Sequence, residues 1–219
     1  MPESSFPPAA HFPPHGSSSG NGPDTPRRAA RGSVNHERIR AAVREILLAV
    51  GEDPDREGLR ETPDRVARMY TELFSGLRTD PREVLQKTFT EKYNEMVTVN
   101  DIGFDSLCEH HLLPFMGRAH VAYIPNGKIV GLSKLARVVE VLSRRPQVQE
   151  RMTEQIADLL MAELDAQGVG IILEATHTCM TIRGVRKPNS VMTTSAMRGV
   201  FLTNQSTRNE FMSHVYGRR

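Results

Sequence analysis

Tryptophan is absent from this chain, and cysteine occurs only 2 times in 219 residues. So little cysteine excludes a disulfide-stapled scaffold, and in a reducing compartment two thiols read better as a metal or catalytic pair. Charge of one sign is not in excess. The 28 Lys+Arg stand against 26 Asp+Glu for a formal net charge of +2, which excludes a whole-chain footprint for nucleic acid. Long apolar runs are missing as well; residues 46–50 form an uninterrupted stretch far short of the ~20 residues that span a bilayer. The N-terminus lacks the basic, apolar, small-residue order of a secretory signal. A soluble, cytoplasmic protein is expected, with no membrane and no nucleic-acid partner.

What is present, 38% hydrophobic and 25% charged residues, fits a globular domain with one good-sized core. Residues 1–34 stand apart. They hold Pro2, Pro7, Pro8, Pro13, Pro14, Pro23 and Pro26, half of the chain's 14 prolines, together with a Ser- and Gly-rich stretch over 17–22. Such a segment has too little apolar surface to offset its ordering entropy, so a disordered tail is expected, with Arg27, Arg28 and Arg31 solvated. The folded domain is then 35–219.

From Asn35 the spacing of Ile39, Val43, Ile46, Leu47 and Val50 predicts a helix that Gly51 ends. Thr62 as N-cap and Pro63 in the first turn predict a second, with Val66, Met69, Tyr70, Leu73 and Phe74 as its stripe. Both stripes are expected to pack on something downstream. Strands are predicted over 96–104 and 118–124, with Pro114 keeping the intervening 108–111 in a turn or at a strand end, and Pro125-Asn126-Gly127 making a turn into 128–131. Ser133 is read as the N-cap of a helix. A longer helix over 146–166 is closed by Gly168 and Gly170, strands follow over 171–185 and 191–202, and a last helix covers 208–216. Helices grouped between strand pairs indicate α+β rather than alternating βαβ units.

Both cysteines sit beside histidines: Cys108-Glu109-His110-His111, and His177-Thr178-Cys179. On an extended strand, Ile171, Leu173, Ala175, His177, Cys179 and Arg183 share one face, which changes from apolar to a histidine, a thiol and a guanidinium. Cys108, His111 and Cys179 offer two thiolates and one imidazole, a set that leaves a fourth tetrahedral position open on zinc. His110 and His177 remain for proton transfer. Against this, a lone Cys-x-x-His is a weak signal, either cysteine alone reads as buried filler, and the two pair as a disulfide if oxidised. Ser133, Lys134 and Arg137 fall near a helix start, where free N–H groups favour an anion, and Arg183 adds a fourth polar group for a polyphosphate. Gln149 and Glu150 follow on the next helix, where a carboxylate suits the paired N–H groups of a guanine, although by sequence alone each also reads as a solvated helix residue.

The stretches CEHHLLPF over 108–115, GLSKLAR over 131–137, RRPQVQER over 144–151, HTCM over 177–180 and RGV over 183–185, with ETP over 61–63, resemble the GTP cyclohydrolase I family. The resemblance runs from about residue 37 to the C-terminus. It implies a tunnelling fold over 91–219, an antiparallel sheet with two helices on one side, preceded by a helical part over 35–90 and assembled into a toroidal homodecamer. It implies hydrolysis of GTP to formate and 7,8-dihydroneopterin triphosphate, the first step of tetrahydrofolate or pterin synthesis. Carried over by position, Cys108, His111 and Cys179 hold Zn2+, and His110 and His177 are the acid/base pair. Gln149 and Glu150 read the guanine, and Ser133, Lys134, Arg137 and Arg183 grip ribose and triphosphate, with Arg65 and Arg68 as weaker phosphate candidates.

Overall fold

The computed structural model describes residues 33–217. The expected tail therefore lies, apart from its last two residues, outside the described residues. Helix α1 (His36–Ala49) begins where the Asn35 side chain accepts from the Arg38 amide at 2.9 Å, and its chain turns away at Gly51, whose φ of 85° suits only glycine well. Helix α2 (Thr62–Leu73) includes Thr62 as its first residue, so the cap position belongs to Glu61 rather than Thr62. The two helices pack on each other, and α1 buries none of its residues: Ile46, Leu48 and Val50 stay exposed. The downstream core does not close on α1, contrary to expectation.

After a 3-10 turn (Ser75–Leu77) and α3 (Pro81–Val84), the chain runs through β1 (Thr88–Thr90), β2 (Val97–Cys108), β3 (Pro114–Ile124), β4 (Lys128–Val130), α4 (Leu132–Ser143), β5 (Pro146–Gln147), α5 (Gln149–Leu164) and β6 (Gly168–His177). It finishes with α6 (Thr178–Thr181), β7 (Met192–Gly199), α7 (Val200–Thr203) and α8 (Gln205–Tyr216). The main sheet has the order β5-β2-β3-β6-β7, antiparallel from β2 to β7, with β5 joined in parallel to the end of β2; β1 and β4 form a separate pair. The class is α+β, as expected.

Strand alternation sorts β3 and β6 onto two faces. Phe115, Ala119, Val121 and Tyr123 of β3, with Val169, Ile171, Leu173 and Ala175 of β6, build the main core against α4 and α5. Ala122 and Ile172 point the other way, into a smaller cluster with Phe201, Phe211 and Val215 from α7 and α8. The second face is thus partly covered too. Gly170 makes this possible, since a Cβ there would sit 2.7 Å from Phe201 Cδ1 and 2.9 Å from Phe211 Cδ1.

Three boundaries differ from expectation for local reasons. Helix α5 ends on Asp165 in the left-handed region at φ 49°, so Gly168 and Gly170 belong to β6 and do not close the helix. Gly131, not Ser133, occupies the cap of α4. The strand expected over 171–185 stops at His177 because β3, its ladder partner, begins at Pro114 and pairs Phe115 with His177 as the last rung. Beyond that rung there is nothing to pair with, and the backbone coils into the one-turn α6. For the same reason the expected strand over 191–202 ends at Gly199, where β6 begins its ladder with β7 at Gly168.

Candidate metal centre and active site

Cys108 is the last residue of β2, and the turn that follows is closed by short backbone bonds: Leu112 N–H donates to Cys108 O at 2.8 Å, and Cys108 N–H to Leu113 O at 2.8 Å. Leu112 takes the left-handed region at φ 52°, which folds His110 and His111 back over Cys108. Glu109 anchors this turn. Its Oε2 accepts from both terminal nitrogens of Arg151 at 2.7 Å, tying the turn to the first turn of α5. No local signal in the sequence marks this role for Glu109, since its partner lies 42 residues away.

Cys179 arrives from α6 rather than from a strand. The Thr178 hydroxyl donates to Pro114 O at 2.6 Å, which holds α6 beside the start of β3 and so beside the end of β2. One sulfur or nitrogen atom from each of Cys108, His111 and Cys179 then lies within 4.8 Å of the others. Neither cysteine is in a disulfide. Burial pushes the Cys179 thiol up, and the neighbouring Cys108 adds to this through its charge and a hydrogen bond. A buried thiol whose ionisation is opposed, with a second sulfur and an imidazole alongside, makes a donor set that a divalent cation would relieve, and the sulfur and nitrogen chemistry fits zinc.

His111 presents Nδ1 to Cys108 Sγ at 3.8 Å, and Arg183 Nη1 donates to its Nε2 at 2.9 Å, so Arg183 reaches the cluster from the loop after α6. His110 Nδ1 is also 3.8 Å from Cys108 Sγ, with the ring largely exposed. His177, at the end of β6, is half-buried, and burial lowers its pKa below the usual imidazole range while the Glu150 carboxylate acts against that shift. Phe115, which closes the CEHHLLPF stretch and carries no sequence signal of its own, stacks on His177 with ring centroids 4.5 Å apart.

Gln149 and Glu150 are adjacent in sequence but differently placed. Glu150 is exposed in the first turn of α5, whereas Gln149 is 1% exposed. The Gln149 carboxamide is engaged inside the chain, by Leu173 O, Met192 O, Thr194 Oγ1 and His177 Nε2.

Ser133, Lys134 and Arg137 share the N-terminal part of α4, with Ser133 and Arg137 exposed. This end lies by Val97, Tyr123 and Val130, whereas the other end of α4 receives the Ser106 hydroxyl at Ser143 O, close to Cys108. About 15 Å of helix separates Ser133 from Ser143. The structure thus brings together Cys108, His110, His111, Glu150, His177, Cys179 and Arg183, but not the basic group at the start of α4. Arg65 and Arg68 are paired along their own helix with Glu61 and Asp64.

A family model described as GTP cyclohydrolase I matches residues 39–216. The chain belongs to the GTP cyclohydrolase I family. It is 60% identical over 189 residues to a GTP cyclohydrolase 1 of Rhodopirellula baltica, covering 86% of this chain and 82% of that one. The GTP cyclohydrolase 1 proteins of Carboxydothermus hydrogenoformans and Bacillus subtilis are 61% and 57% identical, each over 83% of this chain and over 95% and 96% of their own lengths. Among solved structures, an archaeosine synthase QueF-like chain in the apo form overlaps 49% of this chain and 97% of its own, at 15% identity and a TM-score of 0.42, too low to bear on the fold. The family match starts after the Pro-rich stretch and spans every element from α1 to α8 that carries the site.

Proposed function

We propose that this chain hydrolyses GTP at guanine C8, opening the imidazole ring and releasing formate, with 7,8-dihydroneopterin triphosphate as the rearranged product. The observation that carries this reading is the meeting of Cys108, His111 and Cys179 within 4.8 Å, with His177 at the end of the adjoining strand. Cys108, His111 and Cys179 would hold zinc. When bound there, zinc supplies Lewis acidity, the means by which water becomes a nucleophile near neutral pH.

The remaining roles belong to the chain's own side chains. His177, kept neutral by partial burial, suits proton exchange with the substrate, and the exposed His110 imidazole gives a second proton carrier on the solvent side. The two oxygens of Glu150 match the N1–H and N2–H donors of guanine. Lys134 and Arg137, whose charged groups have no bonded partner among the described residues, suit a triphosphate together with Ser133 and Arg183.

Because the start of α4 lies far from the metal cluster in its own subunit, a complete site takes Ser133, Lys134 and Arg137 from a second copy. The edges of the sheet favour such an assembly. Among the described residues nothing pairs with the outer side of β7, and β5 pairs with only Leu107 and Cys108 of β2, leaving backbone groups for neighbouring copies to cover. The exposed apolar residues of α1 add a second surface of the same kind. A tunnelling-fold barrel closed as a homodecamer satisfies both. A cytoplasmic location agrees with two free thiols and with the absence, among the described residues, of any helix long and apolar enough to cross a membrane. Formate release from GTP, lost on chelation and restored by zinc, tests the proposal; a chelator-insensitive release would contradict it.

A further inference from the structure

The hydrogen bonds around Gln149 have a direction that can be worked out from donors and acceptors alone. Thr153 Oγ1 lies 2.7 Å from Gln149 O, and a carbonyl only accepts, so the Thr153 proton is committed there. Thr194 Oγ1 is 2.7 Å from Thr153 Oγ1 and must therefore donate its own proton to Thr153. With that proton committed, Thr194 Oγ1 accepts from the Gln149 carboxamide at 3.1 Å. The same end of the carboxamide faces two further acceptors, Leu173 O and Met192 O, each at 3.0 Å. It is the NH2 end by every one of these contacts. The oxygen end is then the one that meets His177 Nε2, at 2.8 Å, and an oxygen acceptor requires Nε2 to carry the proton.

Ring rotation is closed off as well. Phe115, fully buried, covers one face of His177 with the two planes 6° from parallel, and turning the imidazole over would set a carbon against the Gln149 oxygen.

We propose that Gln149 is a positioning residue that holds His177 as the Nε2–H tautomer, leaving the Nδ1 lone pair as the atom that exchanges a proton with the substrate. The role of that proton rests on the GTP cyclohydrolase reading above, whereas the tautomer rests on the hydrogen bonds alone. A buried carboxamide with one end saturated by sheet carbonyls is poorly placed to read a base, but well placed to orient a catalytic imidazole from behind.

The test uses the full-length, zinc-loaded protein labelled with 15N-histidine and measured by magic-angle-spinning NMR, with the His177 signals identified by their loss in His177→Ala. In the unsubstituted protein Nε2 is expected to be protonated and Nδ1 bare. In Gln149→Met the two tautomers are expected to mix, with kcat for formate release down by about 10- to 100-fold, as for other residues that orient a site histidine. KM for GTP and zinc content are expected to hold. A protonated Nδ1 in the unsubstituted protein overturns the proposal, whether or not Gln149→Met folds. A raised KM with unchanged kcat in Gln149→Met also overturns it, by assigning Gln149 to base recognition. Absence of any GTP turnover in the unsubstituted protein would instead remove the functional reading and leave the tautomer to the spectrum.

Discussion

The rings of Phe115 and His177 lie face to face across the last rung of the β3–β6 ladder, with centroids 4.5 Å apart. One end of the stack is in the core and the other is beside the candidate metal ligands, so packing and the proposed chemistry share a contact. Phe115→Leu keeps an apolar side chain but removes the flat support. It is expected to cost about 1 to 1.5 kcal/mol in denaturant unfolding and to lower kcat more than it raises KM for GTP. Unchanged kcat would show that the stack serves stability alone.

Cys179→Ser removes one of the three donors while leaving α6 tied to β3 through Thr178 and Pro114. The variant is expected to keep its circular dichroism spectrum, to lose stoichiometric zinc by elemental analysis, and to release no formate. A metal-free variant with normal turnover would refute the metal assignment.

Gly170→Ala would force a methyl group against Phe201 and Phe211 at distances below 3 Å. Overpacking of this kind typically costs about 1–3 kcal/mol, to be read as a lower urea midpoint. Because the strain falls on the face of β6 away from His177, the zinc content of the folded fraction should not change.

Burial lowers the pKa of His177 and the Glu150 charge opposes it, so the sign of a substitution at Glu150 is fixed. In Glu150→Gln the midpoint should move further down, and an NMR titration of His177 reads the shift directly. The linkage runs the same way. A histidine with a lowered folded pKa binds fewer protons folded than unfolded, so its contribution weakens stability as pH falls from about 6.5 towards the folded value. An upward shift in Glu150→Gln would mean that the carboxylate does not face the imidazole.

Subunit mixing tests the shared site. Cys179→Ser and Lys134→Ala/Arg137→Ala are each expected to be inactive alone, the first for want of metal and the second for want of its basic pair. Co-assembled from denaturant, they should regain partial formate release, because an intact metal cluster of one copy then meets an intact α4 of another. No recovery in verified mixed oligomers would place the whole site within one chain.

Much of this was legible in the sequence where the signal is local. The helix periodicities, the turn after Cys108 and the apolar alternation of β6 up to His177 all follow from near neighbours in the chain. What the sequence hid depends on partners far along it. The end of β6 is set by where β3 begins, so strand alternation alone places Cys179 on a strand although it sits in α6. The resemblance places Gln149 with Glu150 at the guanine, whereas its burial and its hydrogen bonds depend on Leu173, Met192 and Thr194, brought over it by β6 and β7. Glu109 gained a function only through Arg151. Periodicity marks the apolar stripe of α1 but not the exposure of Ile46 and Val50, since a repeat of apolar residues shows a face and not what covers it.

Zinc analysis coupled to a GTP assay on one preparation tests the central claim most directly. Formate release should rise in proportion to bound zinc, reach its maximum at one ion per chain, and vanish on chelation. Full formate release from a preparation with no bound metal, or stoichiometric zinc with no formate from GTP, would contradict the account.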